Sequence, residues 1–449
     1  MHLTADELAP LFQRLDHDAA AHASQFPGRA AARQPVHVVY GGAHLFNSRT
    51  PARLGAMAID SLRTFASDPA DFAECLGVPA RLAESVYSRV LSKLESEPIE
   101  DYRIDFEDGY GCRGDAEEDT HAASAARELS VGMRQPHFPS FSGVRIKPLT
   151  ALVRQRSIRT LQLFISTLLD ATGGQLPPGF VITLPKITSR EQVAVLCDVL
   201  DLFECRAGLS PGSVRIELMI ETVQSILTPD GRVALPELIG AARGRCRGVH
   251  FGAYDYSADC EITAIYQGMA HPACDFARSL IQASLAGRGV MLSDSLTAVL
   301  PVAIHKGDHL SPEQVSQNRG HVRRAWTLHF ADTRRSLANG FYQGWDLHPA
   351  QLPPRYAAVY SFFLEGLETV SIRLRNFIEK AARATTAGNA FDDAATGQGL
   401  LNFFLRGLNC GAVTETELLS GGLTLEELRT RSFAEIMHRR GVGDPALRR

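Results

Sequence analysis

The stretch Arg215-Ile216-Glu217-Leu218-Met219-Ile220, followed directly by Glu221, sets the pattern that decides the fold. It is a short and largely apolar run that ends at an ionisable side chain. Similar runs recur along the chain at 36–40, 102–106, 143–147, 180–184, 248–252, 289–292 and 344–347. Strands that are buried on both faces of a parallel sheet read as such runs. The sequence therefore predicts eight buried parallel strands.

Between most of these runs the chain is long enough for a crossover helix. Residues 188–203, for example, place Val193, Leu196 and Leu200 among polar residues after a Thr-Ser start, which is typical of a helix with one apolar face. Eight strand–helix units predict an α/β fold of the TIM (β/α)8 barrel type. A doubly wound open sheet is the structural alternative.

The chain divides into three predicted regions. Residues 1–35 form an N-terminal helical extension, because apolar residues recur at helical spacing from Leu8 to Leu15. We interpret this helix as one that covers an end of the barrel. Residues 36–352 form the TIM-barrel catalytic domain. Residues 353–449 form a helical C-terminal region, since the pattern there is helical and includes capping-box sequences.

Composition and charge exclude several classes of partner. The 449 residues include 46 Lys+Arg and 50 Asp+Glu, so the net charge of −4 offers no basic field for nucleic acid or anionic lipid. The chain has no apolar run long enough to span a membrane and no N-terminal secretory signal pattern. Its 8 cysteines are scattered, without a Cys-x-x-Cys pair, which favours reduced thiols and a cytoplasmic location.

Ionisable side chains follow the carboxyl ends of the predicted strands, where the active site of a TIM barrel lies. From the second run to the eighth they are Glu107 with Asp108, Arg145, Lys186, Glu221, Asp255, Asp294 and His348. A chain without a functional site would carry charges at both ends of its strands. The asymmetry therefore predicts one site at this rim.

Glu221 and Asp255 end consecutive predicted strands and are candidate metal ligands. Mg²⁺ prefers oxygen ligands and usually takes one or two carboxylates, which leaves positions for water and substrate. Helix caps or salt bridges are the alternative explanation for such acids, but their position at strand ends favours the metal. The sequence contains no His-x-x-x-His or Glu-x-x-His motif that would indicate zinc.

Arg145 lies in an apolar run, where an arginine is costly unless it meets an anion. It is a candidate for binding a carboxylate or a developing enolate oxygen, and a structural pair with Glu107 or Asp108 is the alternative. Those two acids could orient metal-bound water or accept a proton, or they could form a solvated acidic turn. Gly252-Ala253 could offer backbone N–H groups to a substrate carboxylate.

The sequence contains six short motifs in this order: Asp105-Phe106-Glu107-Asp108, Val144-Arg145-Ile146, Leu184-Pro185-Lys186, Ile220-Glu221-Thr222, Gly252-Ala253-Tyr254-Asp255 and Gly340-Phe341-Tyr342-Gln343-Gly344-Trp345-Asp346-Leu347-His348-Pro349. Together they resemble the HpcH/HpaI aldolase and citrate lyase β-subunit superfamily. Malyl-CoA lyases and malate synthases are similar, more distantly. The resemblance spans about residues 36–352 and implies a TIM barrel, dependent on Mg²⁺ or Mn²⁺, that cleaves or forms carbon–carbon bonds next to a carbonyl.

The resemblance also implies roles for individual residues. Glu221 and Asp255 would be the metal ligands. Arg145 would be a catalytic residue that touches the substrate carbonyl or the enolate oxygen. Glu107 and Asp108 would be catalytic residues near the metal-bound waters and the general base.

Further residues of the motifs are implied to bind substrate. Gly252 and Ala253 would offer N–H groups to the substrate carboxylate, and Lys186 and His348 would be supporting rim residues. The sequence departs from the family where the acidic motif is followed by Gly-Tyr-Gly rather than Ala-Val, and where Arg-Ile is followed by Lys-Pro rather than Asn. These departures affect the choice of substrate more than the metal.

The implied partner is a small 2-oxo acid of the pyruvate or oxaloacetate type, or an acyl-CoA, and the implied assembly is a homo-oligomer. In the acyl-CoA branch an acidic residue of a C-terminal lid joins the site, and Asp392 or Asp393 is the candidate here. Three alternatives remain open: a malate-synthase-like Claisen condensation, other enolate chemistry such as that of phosphoenolpyruvate, and a non-catalytic ligand-binding relative.

Overall fold

The computed structural model describes residues 3–28, 33–379, 385–387, 390–392, 394–419, 422–430 and 433–440. Eight parallel strands form the barrel: β1 His37–Gly42, β2 Asp101–Asp105, β3 Phe141–Arg145, β4 Val181–Leu184, β5 Arg215–Ile220, β6 Cys246–Phe251, β7 Met291–Leu296 and β8 Gln343–Asp346. Each strand pairs with the next, and β8 pairs with β1. The closed barrel confirms the predicted fold and excludes the open sheet.

All eight predicted strands are present, and β5 has the predicted bounds, Arg215–Ile220. The largest difference lies in β7, which continues to Leu296 although the predicted run ended at residue 292. The segment Ser293-Asp294-Ser295 is polar and does not read as an apolar run. A strand that carries buried polar side chains was therefore predicted too short.

Helices connect the strands and extend the chain at both ends. They are α1 Ala5–Gln25, α2 Thr50–Phe65, α3 Pro69–Leu76, α4 Ala83–Ser96, α5 Asp115–Gly132, α6 Arg154–Thr172, α7 Arg190–Ala207, α8 Val223–Ile226, α9 Leu235–Ala241, α10 Ala253–Asp259, α11 Pro272–Leu285, α12 Pro312–Ala338, α13 Leu352–Glu379, α14 Ala394–Asn409, α15 Glu415–Leu419, α16 Leu425–Thr430 and α17 Phe433–Arg439.

Short 3₁₀ turns lie at Ala43–Leu45, Ala80–Leu82, Ala264–Tyr266 and Pro349–Gln351. A separate antiparallel pair consists of β9 Thr385–Ala387 and β10 Ala390–Asp392. In the part of the chain that the structure describes, no helix has both the length and the apolar character needed to cross a bilayer.

The barrel interior is polar as well as apolar, as β2 shows. Arg103 is fully buried, and its guanidinium donates to Asp101 at 2.6 Å and to Glu217 on β5 at 2.5 Å. Since β2 and β5 are not neighbours, these side chains meet inside the barrel. Side chains alternate along a strand, so Asp101, Arg103 and Asp105 share the inner face while Tyr102 and Ile104 pack outwards against the helices.

The helix that follows β8 belongs to the barrel. Helix α13 begins at Leu352, and its Tyr356 and Val359 are buried against the barrel and the neighbouring helices. The predicted boundary at residue 353 therefore falls at the start of the last barrel helix. Helix α14 contacts the end of the barrel opposite the rim, where its Arg406 donates at 2.6 Å to Gln34, which precedes β1.

Helix α1 confirms the predicted N-terminal helix, and a capping box of Thr4 and Glu7 starts it. None of its residues is buried, and Leu11, Phe12 and Leu15 expose 48%, 55% and 64% of their surface. The interpretation that this helix covers an end of the barrel is therefore wrong for this chain, because its apolar stripe contacts solvent.

Asp346, at the end of β8, ties the barrel to two of its helices. Its fully buried carboxylate accepts a hydrogen bond from Arg355 of α13 at 2.8 Å, and it lies 2.8 Å from His37 Nδ1 of β1 and 3.0 Å from His329 Nε2 of α12. Burial opposes ionisation, but Arg355 and the two histidines outweigh it and hold the pKa of Asp346 well below its usual range. Asp346 is therefore a buried anion that joins four elements.

We expect Asp346→Asn to lower the free energy of unfolding by about 3–5 kcal/mol, because Arg355 would remain buried without its counter-ion. Urea denaturation at pH 7 measures the change. The exposed Asp230 is the matched control, and Asp230→Asn should change stability by roughly 0.5 kcal/mol or less. Equal stabilities of the two variants would contradict this role of Asp346.

Candidate functional site

Four predicted carboxylates surround one ammonium group at the carboxyl ends of β2, β4, β5 and β6. The Nζ atom of Lys186 lies 2.6 Å from Asp255 Oδ1, 3.4 Å from Asp108 Oδ2, 3.6 Å from Glu107 Oε1 and 3.9 Å from Glu221 Oε2. These residues are separated by up to 148 positions in the sequence, between 107 and 255. The structure thus brings together the residues predicted at the ends of these strands.

Arg145, at the end of β3, borders this group. Its Nε and Nη2 donate to the two carboxylate oxygens of Asp105 at 2.7 and 2.5 Å. Its Nη1 lies 3.2 Å from Glu107 Oε2, and the guanidinium stacks 4.8 Å above the ring centroid of Tyr40. Arg145 therefore pairs with Glu107, which was the structural alternative, and it also lies beside the cluster around Lys186.

Asp105 organises the site, although it was not predicted as a site residue. Besides binding Arg145, its carboxylate accepts the backbone N–H groups of Glu107 at 2.9 Å and Gly109 at 2.7 Å. It therefore holds the turn that carries Glu107 and Asp108. The available signal was the alternation of charged residues along β2, which places Asp105 on the inner face.

One carboxylate oxygen of Glu221 has no hydrogen bond. Its Oε1 accepts the backbone N–H of Lys186 at 2.7 Å, whereas its Oε2 is buried and accepts no hydrogen bond. Lys186 adopts a left-handed φ of 49°, which is unusual for a residue with a side chain and is typical of strained functional positions. Gly252 allows the close approach of β6, because a Cβ there would lie 2.6 Å from Glu221 Cβ.

The cluster carries more negative than positive charge. Two cations, Arg145 and Lys186, face five carboxylates, those of Asp105, Glu107, Asp108, Glu221 and Asp255. A buried oxygen without a hydrogen bond, in a site short of positive charge, is suited to a cation with hard-oxygen preference. The cluster therefore fits the predicted Mg²⁺ or Mn²⁺.

Burial and like charge separate the proton affinities of the carboxylates. Burial raises the pKa of Glu107 to about 8, with Asp108 adding to the shift and Arg145 and Lys186 opposing it. Burial also raises the pKa of Glu221 to about 7, against the effect of Lys186. For Asp108 burial is outweighed by the Glu107 hydrogen bond and by Lys186, which lower its pKa. Neighbouring carboxyls with separated pKa values are typical of acid–base pairs.

The backbone N–H groups of Gly252 and Ala253 already have partners. Gly252 donates to the carbonyl oxygen of Ile220 at 3.0 Å, and Ala253 donates to Ser295 Oγ at 3.0 Å. Neither group is free in this structure to receive a substrate carboxylate. Their substrate-binding role stays a prediction that requires these bonds to be replaced.

His348 and Asp294 have structural partners outside the cluster. His348 Nδ1 accepts the backbone N–H of Ala350 at 3.2 Å and starts a 3₁₀ turn, and none of its described contacts reaches the cluster. Asp294 is buried within β7 and pairs with Arg278 at 2.8 Å. The side chain of Asp392 and all of Asp393 lie outside the described residues, so the lid prediction is not tested.

A metal at this rim would depend on few protein ligands. Across the described ranges, no group of three or more His, Cys, Asp or Glu side chains is arranged to hold a metal ion. Mg²⁺ commonly binds through one or two carboxylates and keeps several waters. The predicted pair of Glu221 and Asp255 agrees with that smaller ligand set.

A cavity of about 600 Å³ lies elsewhere, between α4 and the C-terminal helices. Its cations are paired, since Arg89 lies 2.6 Å from Glu417 and Lys93 lies 2.5 Å from Glu97. The excess of carboxylates over cations is found at the rim instead. We therefore take the rim cluster as the candidate site.

A protein-family model described as "Domain of unknown function (DUF6986)" matches residues 15–436, which is most of the chain. The chain belongs to the DUF6986 family. No curated protein matches this DUF6986 chain. Membership of the HpcH/HpaI superfamily, which the motifs suggested, stays a prediction.

Two solved structures were compared with the fold of this DUF6986 chain. A citrate lyase from Burkholderia xenovorans LB400 is 17% identical, with a TM-score of 0.54 over 87% of this chain and 96% of that chain. A malate synthase of Haloferax volcanii, in a magnesium/glyoxylate complex, is 14% identical, with a TM-score of 0.43 over 92% and 99%. At these identities the first likeness shows the fold alone, and the second is too weak to support an argument.

The raised pKa of Glu107 predicts a pH-dependent loss of stability in metal-free protein. A carboxyl whose pKa rises from 4.5 to about 8 on folding stabilises the fold below pH 4.5, and that contribution is lost as the pH rises to about 8. The slope is on the order of 1.4 kcal/mol per pH unit. Because glutamine cannot ionise, Glu107→Gln should gain stability over the wild type at pH 9 but not at pH 5.

Thermal unfolding in EDTA at the two pH values measures this difference. Glu117→Gln is the control, since Glu117 is largely exposed and pairs with Arg113 rather than with the cluster. If the Glu107→Gln variant gained no more stability at pH 9 than the Glu117→Gln variant, the protonated state assigned to Glu107 would be wrong.

Proposed function

We propose that this chain is a Mg²⁺-dependent carbon–carbon lyase or aldolase that acts on a 2-oxo acid. The single observation that carries the proposal is Glu221 Oε2, a buried carboxylate oxygen without a hydrogen bond in a cluster with excess negative charge. Such an oxygen is suited to binding a cation that prefers oxygen ligands. The cluster lies at the end of the barrel where TIM-barrel enzymes hold their active sites.

Glu221 and Asp255 are the residues that would hold the ion, with Mn²⁺ as the alternative metal. The bound ion would supply a Lewis acid that stabilises negative charge on a substrate oxygen. Gly252 keeps Glu221 in place, because a glycine without a side chain leaves room for the Glu221 side chain. The remaining steps depend on the chain's own side chains.

Arg145 would bind the carbonyl oxygen of the substrate and stabilise the charge that develops there. The carboxylate of Asp105 accepts hydrogen bonds from Nε and Nη2 of Arg145, so the guanidinium is oriented before substrate binds. Its third nitrogen, Nη1, lies on the side of Glu107. Donors that are fixed in advance stabilise a developing oxyanion without the cost of reorganising. The stack on Tyr40 restricts the same guanidinium from its face.

Glu107 would move the proton. Its side chain is 8% exposed, and its pKa of about 8 allows it to hold a proton near neutral pH and to release it when positive charge increases nearby. Asp108, with its lowered pKa, would remain ionised and would orient water at the more exposed edge. Glu107 Oε1 and Oε2 are thus the proposed sites of proton transfer.

The electrostatics of Lys186 argue against a Schiff-base mechanism. Burial lowers the pKa of Lys186, but Glu221, Glu107 and Asp255 outweigh burial and raise it above its usual value. A lysine that attacks a carbonyl must be a neutral amine, and nucleophilic lysines have lowered pKa values. The cluster therefore favours enolate stabilisation by cations over a covalent intermediate on Lys186.

The shared barrel supports the proposal at the level of the fold. The solved protein with which this chain shares 17% identity is described as a citrate lyase, and its chain is covered over 96% of its length. Lyase chemistry on the present chain is supported by the cluster rather than by that name. Which 2-oxo acid or acyl-CoA is used depends on groups beyond Arg145 and Glu221.

Metal binding tests the proposal directly. Titration calorimetry with MgCl₂ or MnCl₂ should show one site in the wild type, and Glu221→Gln or Asp255→Asn should weaken binding at least about 100-fold through loss of a ligand charge. Asp259→Asn is the control, because Asp259 lies on the same helix as Asp255 but binds the backbone of Val223. Wild-type protein that binds neither ion would refute the proposal.

The role of Arg145 can be tested with oxalate, a stable mimic of the enolate of pyruvate. Arg145→Lys keeps one positive charge beside Asp105 but loses the two-pronged geometry, so oxalate affinity in saturating Mg²⁺ should fall about 10-fold or more. The affinity for Mg²⁺ itself should stay within about threefold of wild type. Unchanged oxalate binding would remove Arg145 from the substrate site.

A further inference from the structure

We infer that Lys186 is a tethered cation that occupies the place of the divalent ion and must be displaced when the ion binds. This inference rests on the proposed function, since it concerns the same carboxylates. It goes beyond that function by giving Lys186 control over metal occupancy. It also explains why a site suited to a metal contains an ammonium group at its centre.

The position of the ammonium group is the first observation. Lys186 Nζ lies 2.6 Å from Asp255 Oδ1 and 3.9 Å from Glu221 Oε2, the two proposed ligands. A cation held by both carboxylates would occupy the region between them, where Nζ now lies. Two cations cannot share that region, because like charges at such separations repel strongly at low dielectric.

The way the lysine is tethered is the second observation. Its backbone N–H is bonded to Glu221 Oε1 at 2.7 Å, so the main chain stays with Glu221 whatever the side chain does. The side chain is 26% exposed and ends a flexible four-carbon stem. The ammonium group can therefore leave the ligands without any movement of the barrel.

A second position for the ammonium group is available within the same cluster. Asp108 Oδ2 lies 3.4 Å from Nζ, and its side chain is 58% exposed at the outer edge. Glu107 Oε1 lies 3.6 Å from Nζ on the same side. A displaced ammonium group would pair with these acids, which brings positive charge to the proposed proton carrier when the metal site fills.

Competition has a measurable consequence for affinity. In the wild type, the incoming ion must break the contact of Lys186 with Asp255 before it gains both ligands. In Lys186→Met the stem keeps its length but carries no charge, so the same carboxylates are free to bind. We expect Lys186→Met to bind Mg²⁺ at least 10-fold more tightly than wild type and to gain a larger increase in melting temperature on Mg²⁺ addition.

Calorimetric titration with MgCl₂, repeated by thermal unfolding in EDTA and in Mg²⁺, tests this expectation. Lys306→Met is the matched control, because Lys306 is exposed on the loop after β7, and its affinity should equal that of wild type. Equal or weaker Mg²⁺ binding by the Lys186→Met variant, with normal binding by wild type, would overturn the inference and leave the proposed function standing. Absence of Mg²⁺ binding by wild type and by this variant would refute both.

A spectroscopic measurement on wild-type protein follows Lys186 itself, and the conservative variant Lys186→Arg serves only to assign its signal. The sequence has lysines at 93, 147, 186, 306 and 380 only, so side-chain ammonium signals of ¹⁵N-lysine-labelled protein are few. The signal absent from Lys186→Arg is that of Lys186. It should shift on Mg²⁺ addition in proportion to metal occupancy, while the Lys306 signal stays in place. An unshifted Lys186 signal at full occupancy would overturn the inference.

Discussion

The ion pair between Asp105 and Arg145 is the interaction on which the site depends. Asp105 is fully buried and binds two nitrogens of the guanidinium, while the same carboxylate accepts two backbone N–H groups of the turn after β2. One carboxylate therefore positions the proposed anion-binding arginine and the proposed proton carrier Glu107. Burial makes both partners necessary to each other, because either charge alone in this place would be strongly destabilising.

The barrel beneath the site is also built on paired charges. Arg103 meets Asp101 and Glu217 inside the barrel, and His250 lies 3.0 Å from Glu217. The two carboxylates accept short hydrogen bonds from Arg103, whereas at the rim Glu221 Oε2 accepts none. The tightly paired ions inside the barrel support the structure, and the carboxylates around Lys186 are the groups suited to binding a further cation.

Much of the fold could be predicted from local patterns. Apolar runs identified all eight strands, and β5 matched at both ends, because strands buried on both faces are rich in apolar residues. Local patterns did not predict the features that depend on tertiary contacts. β7 contains Asp294, which is buried and paired with Arg278, and in the described part of the chain no residue of α1 is buried despite its apolar stripe. The predicted domain boundary at residue 353 stays a prediction, and it falls at the start of α13, which begins at Leu352.

By itself, the sequence determined the chemistry available at the rim. It placed Glu107, Arg145, Glu221 and Asp255 after strands, because strand periodicity and chain order are local properties. Only the tertiary structure decided which of these groups meet. Closure of the barrel put Lys186 among four carboxylates, and alternation along β2 turned Asp105 inward to Arg145, while His348 became a turn cap. The contacts of Lys186 and of Asp105 with Arg145 join residues far apart in the chain, which no local pattern encodes.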